Sequence, residues 1–286
     1  MSDRAYDLTM PMRPDTSLIF ASPHSGRDYP AEFMHQSVLD ARTIRSSEDA
    51  YVDQRLAVAP MQGAHLIAAR VPRAYVDFNR AQTELDPALI DGAPRGPVNP
   101  RISSGLGVIP RVVANGRAIY AGKLPLAEAE ARLVRFWQPW HAKIDSLMSA
   151  HVTQFGEAVL IDCHSMPHEA LDGAAFAGRA RPQIVLGDRF GASARGDIVD
   201  RIESAFLTAG FRVARNAPFA GAFSVERYGR PAEGRHVVQI EIDRALYLDE
   251  RRVEPGPGFE DTRRRLARVI SEIAAIGRSA RPLAAE

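Results

Sequence analysis

The run Ala158–Val159–Leu160–Ile161, closed by Asp162, is apolar at every position before its final acid. A strand of that kind offers no polar face to water, so both of its faces must be covered. That points to a largely parallel sheet with helices on either side. Leu18–Ala21 has the same character. His65–Ala69, Tyr75–Phe78, Ile184–Leu186 and His236–Ile242 read as further strands, with Arg212–Asn216 at an edge. Helical patterns lie between them, at Ala31–Val38, Ile44–Met61, Pro125–Phe155, Ser193 to Gly210 and Asp261–Ile276. Ile44–Met61 opens with Ser46, Ser47 and two acids, Glu48 and Asp49, a helix-start signature. In Pro125–Phe155, Leu126, Ala129, Leu133, Phe136, Trp137, Trp140 and Ile144 recur at helical spacing. The alternation predicts one α/β domain over residues 1–286, with a mixed, mostly parallel sheet flanked by helices. Residues 83–122 break the pattern. They are rich in Gly and Pro and read as a long irregular excursion, of the sort that is often functional.

Composition narrows the function classes. The formal net charge is +1, which gives no global attraction to nucleic acid or to anionic membranes. A single cysteine, Cys163, excludes an intrachain disulfide framework and a multi-cysteine zinc site. The opening residues MSDRAYDLTMPMRPD lack the apolar core of a signal peptide, and no run reaches the roughly 18 apolar residues of a spanning helix. These features predict a soluble, cytoplasmic protein of open oligomeric state.

Polar residues gather where the strands stop. His24 follows Leu18–Ala21 in Pro23–His24–Ser25–Gly26, and His164 follows Ala158–Asp162 in Cys163–His164–Ser165. Ligands in open parallel sheets bind beyond the carboxyl ends of the strands. Neutral imidazole is a common zinc ligand, and a catalytic zinc needs about three protein ligands and an open position. A loop histidine bonded to a backbone carbonyl is the ordinary alternative for either residue alone. Cys163 should face away from His164, so the third ligand must be a carboxylate. Glu48, Asp49 and Asp53 are available, and spacing does not choose among them. Glu241, between Ile240 and Ile242, is a candidate general base, or else belongs to the polar face of an edge strand. Asn79 and Arg80 end the segment RAYVDFNR, where Arg80 suits a substrate carboxylate or a salt bridge with Asp77. Tyr228, Arg230 and Arg235 sit in a Gly/Pro loop before the Glu241 strand and could close over a ligand.

Taken in order, SPHSGRDYP, EDAYVDQRL, ARVPRAYVDFNR, WQPWH, LIDCHSMP and RYGRP…GRHVVQIEIDRALYLDE resemble the N-formylglutamate amidohydrolase family. The resemblance spans residues 18 to 250. It implies a fold similar to the zinc carboxypeptidases and the aspartoacylase-type deacylases, in the phosphorylase/hydrolase-like class. It implies a metal-dependent hydrolase of N-acyl amino acids. The typical reaction cleaves N-formyl-L-glutamate to formate and L-glutamate in histidine degradation. By position it makes His24, Asp49 and His164 the metal ligands, with Glu48 as the alternative acid and Zn²⁺ as the expected divalent metal. The carboxypeptidase-type His-x-x-Glu is absent, because position 27 is Arg. Glu241 becomes the general base. Asn79 and Arg80 become the carboxylate grip, and Arg80 also steadies the oxyanion. Tyr228 and Arg230 would line the acyl or carboxylate pocket, with Arg111 a weaker candidate. Arg235 could serve as a further cationic anchor, and His236 or His141 could orient a ligand, although His141 is better read as packing beside Trp137 and Trp140. Two rivals stand beside this reading: a metallo-carboxypeptidase or cell-wall amidase with an open groove, and a catalytically silent binding protein.

Overall fold

A computed structural model describes residues 4–94, 99–172 and 180–278. Seven strands form the main sheet: β1 (Tyr6–Thr9), β2 (Leu18–Ser22), β3 (His65–Ala69), β6 (Ala158–Met166), β7 (Ile184–Gly187), β8 (Val213–Arg215) and β9 (Arg235–Asp243). Their spatial order is β1-β3-β2-β6-β9-β7-β8. The β3-β2-β6-β9 centre is parallel, whereas β1 pairs antiparallel with β3 and β7 antiparallel with β9. Two short ladders lie outside it, β4 (Ile90–Asp91) with β5 (Leu124–Pro125), and β10 (Leu248–Asp249) with β11 (Glu254–Pro255).

Strand alternation divides the core into two layers. Leu18, Phe20, Val159, Ile161, Val238 and Ile240 pack on one face of the sheet. That face is covered by α6 (Gly196–Thr208) and α8 (Phe259–Arg278), through residues such as Ile198, Ile202, Val269 and Ile273. Ile19, Ala21, Leu160 and Val237 pack on the other, under α5 (Gln138–Phe155) with Trp140, Ile144 and Met148. Each large apolar side chain so buried stabilises the fold by about 1.5–3 kcal/mol. The doubly covered, mostly parallel sheet that the apolar runs predicted is therefore present.

Several elements differ from the sequence reading. Ala31–Val38 is shorter, as α1 (Ala31–Gln36), because Ser37 turns extended and bridges to Tyr120. Ile44–Met61 is not one helix. It breaks into a 3₁₀ turn Thr43–Ser47, α2 (Val52–Leu56) and a second 3₁₀ turn Ala59–Gln62. Glu48 is extended, Tyr51 is left-handed at φ 62°, and the Asp49 N–H is taken by the His24 carbonyl at 3.0 Å. The helical ladder cannot pass through that stretch. Tyr75–Phe78 is a turn, not a strand: Tyr75 and Val76 bond back to the Pro72 carbonyl, and Asp77 bonds to that of Val108. The strand ending at Asp162 continues to Met166, so His164 lies within β6. The long helix begins as α4 (Leu126–Arg132) and passes through a π turn, Leu133–Trp137, before α5. There the Gln138 N–H reaches the Leu133 carbonyl, next to Pro139, which has no N–H. The 83–122 excursion holds α3 (Pro100–Ser103) and a 3₁₀ turn Ala114–Gly116, with 95–98 outside the described residues. Among the described residues, no helix is long and apolar enough to cross a membrane.

Candidate metal and active site

The apolar rows on the α5 side of the sheet become polar at the carboxyl ends of the strands. Along β6, Leu160 is followed on the same face by Asp162 and His164; along β9, Val237 is followed by Gln239 and Glu241. His164 and Glu241 are register partners in the parallel β6–β9 pair. His24 leaves the end of neighbouring β2, and Asp77, Asn79 and Arg80 come from the turn after β3. Four adjacent strand ends thus meet over one cavity of about 590 Å³.

His24, Asp49 and His164 lie on its floor, all buried, with one ligand atom from each lying within 4.8 Å of the others. The two Nδ1 atoms are 3.0 Å apart, and Asp49 Oδ2 is 3.1 Å from His164 Nδ1 and 3.4 Å from His24 Nδ1. His24 Nε2 is 2.7 Å from Asp77 Oδ1, which leaves its Nδ1 facing the cluster. On the far side of the His164 ring, Nε2 is met by the Asn79 amide nitrogen at 3.2 Å. His164 Nε2 is also 3.0 Å from Asp162 Oδ2, a charge contact, and among the described residues that buried oxygen has no hydrogen-bond partner. Asp49 Oδ1 accepts from Ser165 Oγ at 3.2 Å and Arg244 Nη2 at 3.0 Å, so Oδ2 is its free edge. Two imidazoles and one carboxylate edge, each steadied from behind, form a donor set that fits a divalent cation.

The electrostatics agree with that arrangement. Burial would raise the Asp49 carboxyl, but hydrogen bonds from His164 and His24 hold it well below its ordinary value. Burial acts the same way on Asp77, and the charges of His24, Arg73 and Arg80 outweigh it, so its carboxyl also stays low. Burial would lower the His164 imidazole, but Asp162 and Asp49 raise it well above the usual value. Burial and then the Asp49 charge lift the Glu241 carboxyl to about 7, against opposition from His164, Arg73 and Arg244. Glu241 Oε1 accepts from Gln239 Nε2 at 2.7 Å.

The structure brings together His24, Asp49, His164, Asn79, Arg80 and Glu241. Glu48 is elsewhere: Tyr29 Oη and Arg45 hold its carboxylate. Asp53 pairs with Arg27. Asn79 lines the cavity, yet its Oδ1 accepts from the Ser224 N–H at 2.8 Å, which aims its nitrogen at His164 and Gln239. Asp77 pairs with Arg73 at 2.9 Å, and not with Arg80 as the segment RAYVDFNR suggested.

Tyr228, Arg230, Arg111 and Arg235 do not reach the cavity. Arg230 and Arg235 flank the start of β9, whereas Glu241 is six residues further on, about 20 Å along a strand. The Arg230 guanidinium bonds the Glu226 and Gly229 carbonyls, and Arg235 bonds Ser149. Tyr228 ends α7 (Phe223–Tyr228) and directs its hydroxyl to His141, which packs beside Trp137 as the helix pattern suggested. Arg111 is paired with Asp86 at 2.9 Å. His236, at the same far end as Arg235, faces Glu157 and Arg195. The sequence reading missed Arg73, Arg101, Asp162, Ser165 and Arg244. Asp162 had a usable signal, since it stands two residues before His164 and so on its face.

Residues 16–248 match the model of the N-formylglutamate amidohydrolase family. The chain belongs to this family. The matched stretch of the N-formylglutamate amidohydrolase model contains every cavity residue named above. An N-formylglutamate deformylase of Pseudomonas aeruginosa is 29% identical over 240 residues, 82% of each chain. One from Pseudomonas putida is 28% identical over 251 residues, 85% of each. The crystal structure of the N-formylglutamate amidohydrolase of Ralstonia eutropha is 34% identical, with a TM-score of 0.90 over 96% of this chain and 99% of that one. A protein of Agrobacterium tumefaciens, 17% identical, has the same fold at a TM-score of 0.66 over 96% of this chain and 95% of that one.

Proposed function

We propose that this chain hydrolyses N-formyl-L-glutamate to formate and L-glutamate, a step of histidine degradation, with a divalent metal, Zn²⁺ by its ligand set. The observation that carries the reading is the buried Glu241 carboxylate beside the His24–Asp49–His164 cluster on the cavity floor. That floor provides a base and a cation site together. The activity for which the Pseudomonas relatives are named supports the substrate.

His24 Nδ1, His164 Nδ1 and Asp49 Oδ2 would hold the metal, with Asp77, Asn79 and Arg244 fixing their orientation. A divalent cation there supplies Lewis acidity and lowers the pKa of a water. Glu241, poised at about 7, takes a proton from the attacking water. The oxygen adds to the formyl carbon, the C–N bond breaks, and Glu241 returns the proton to the leaving amine nitrogen. Arg80 has Nε on the Leu106 carbonyl and Nη1 on that of Asn79, leaving Nη2 for the α-carboxylate or the developing oxyanion. A cavity of about 590 Å³ lies in the range of small-molecule sites.

The test is formate release from N-formyl-L-glutamate by the purified protein, with bound metal measured in parallel. Activity that survives complete chelation would overturn the metal assignment. Absence of formate release by the metal-loaded protein would overturn the substrate.

A further inference from the structure

Arg73, Arg80, Arg101 and Arg244 line the cavity. Two of them are neutralised by the protein, Arg73 by Asp77 and Arg244 by Asp49. Among the described residues, no carboxylate lies within 4.0 Å of the Arg80 or Arg101 guanidinium. Two guanidinium groups of the cavity are therefore without a directly paired carboxylate among the described residues. Arg80 is only 6% exposed, so its charge is held at a cost that an anion would relieve.

Arg101 is fixed through its backbone. Asn99 caps α3 and accepts the Arg101 N–H at 2.9 Å, with Pro100 at the first helical position. The Arg101 carbonyl accepts the Leu106 N–H at 2.8 Å, and the Leu106 carbonyl accepts Arg80 Nε at 2.9 Å. Gly107 then packs against the Glu84 carbonyl, where a Cβ would come within 2.6 Å. The wall that carries Arg101 is thus tied to the turn that carries Arg80. Among the described residues, the Arg101 guanidinium has no hydrogen-bond partner of its own.

Arg80 adjoins Asn79 and the metal ligands, at the reacting end. Arg101 lines the same cavity from α3, is itself exposed, and lies near enough for its charge to act on Arg80. We propose that Arg101 holds the side-chain carboxylate of the acyl amino acid, and so selects acidic over neutral amino acids. This rests on the proposed reaction and extends it: a dicarboxylate brings two negative charges to two unpaired guanidinium groups.

The test compares N-formyl-L-glutamate with its neutral isostere N-formyl-L-glutamine. In Arg101→Ala the ratio of their kcat/KM values should fall by about 10- to 100-fold, mostly through KM. Arg101→Lys should restore part of the ratio, since it keeps the charge without the fork. Arg230→Ala is the control, with its guanidinium outside the cavity. An unchanged ratio in Arg101→Ala, or equal losses on both substrates, overturns the inference. Calorimetric binding of L-glutamate and L-glutamine separates it from the reaction. If the wild type cleaves neither substrate yet prefers glutamate, and Arg101→Ala removes that preference, the reaction falls and the role of Arg101 stands.

Discussion

Asp49 is held at three points: its N–H by the His24 carbonyl, and one carboxylate oxygen by both Ser165 and Arg244. Its other oxygen faces two imidazoles and so has one direction available. Asp77 plays the matching part for His24. Replacing Asp77 with Asn keeps the shape and removes the charge behind the ring. Metal affinity should fall about 10- to 100-fold, read by competition with a chelating dye. Glu241→Gln should lower kcat about 10²- to 10⁴-fold while metal content stays at the wild-type level. A Gln variant with full kcat would remove Glu241 from the reaction. At this scale the histidines and Glu241 were legible as candidates, because each stands in or just after an apolar strand. The choice of Asp49 over Glu48 was not legible from spacing. It depends on a hydrogen bond between two backbones 25 residues apart in sequence.

Elements are positioned by close approaches more than by helix propensity. Gly26 has an ordinary φ, so its need for glycine is steric. A Cβ there would sit 2.0 Å from the Val71 carbonyl oxygen and 2.7 Å from the Arg70 carbonyl carbon. Through that contact the loop after β2 rests on the loop after β3, and His24 reaches Asp77. Gly26→Ala should cost about 1–3 kcal/mol and lower the denaturation midpoint. Gly122→Ala, with nothing within 4 Å of its Cβ, should stay within about 0.5 kcal/mol. The broken helix between Thr43 and Gln62 was misread for a related reason. Local propensity favoured a continuous helix, and the tertiary bond to His24 overrode it. The β strands were legible in type because burial on both faces leaves a continuous apolar run. Tyr75–Phe78 is apolar apart from Asp77, and its backbone pairs with loops instead.

Across the whole molecule, the site occupies one end of the sheet and buried histidines gather elsewhere. His65 and His151 meet at 3.0 Å, and His141 bonds Tyr228. Burial pushes His151 down to about 4 and His141 to about 3. In an unfolded chain both would take protons near 6.5. Below that pH the unfolded state binds protons that the fold excludes, so stability should fall steadily from pH 6.5 toward 4. His151 alone accounts for about 3 kcal/mol of that loss, and above pH 6.5 its effect vanishes. Urea midpoints between pH 4 and 8 check this, and His151→Gln should flatten the slope. Glu241, lifted to about 7, acts in the opposite sense between pH 7 and 4.5, so the profile is read in Glu241→Gln, where no slope below pH 6.5 would show that these rings protonate inside the fold. Arg230 and Arg235 are near Glu241 in sequence, but a parallel strand carries its two ends to opposite sides of the domain. Arg101, distant in sequence, arrives by way of the 99–116 wall.

The pairing of His164 with Glu241 in β6 and β9 has a consequence for how such a chain can vary in length. Both side chains face the cavity because each strand keeps its parity from start to finish. One residue inserted between Val237 and Glu241 would turn the carboxylate into the opposite apolar layer. One inserted in the 99–116 wall would only shift its reach. Length variation among relatives should therefore collect in the walls, with the strands behaving as fixed rulers that pass on the phase of the site.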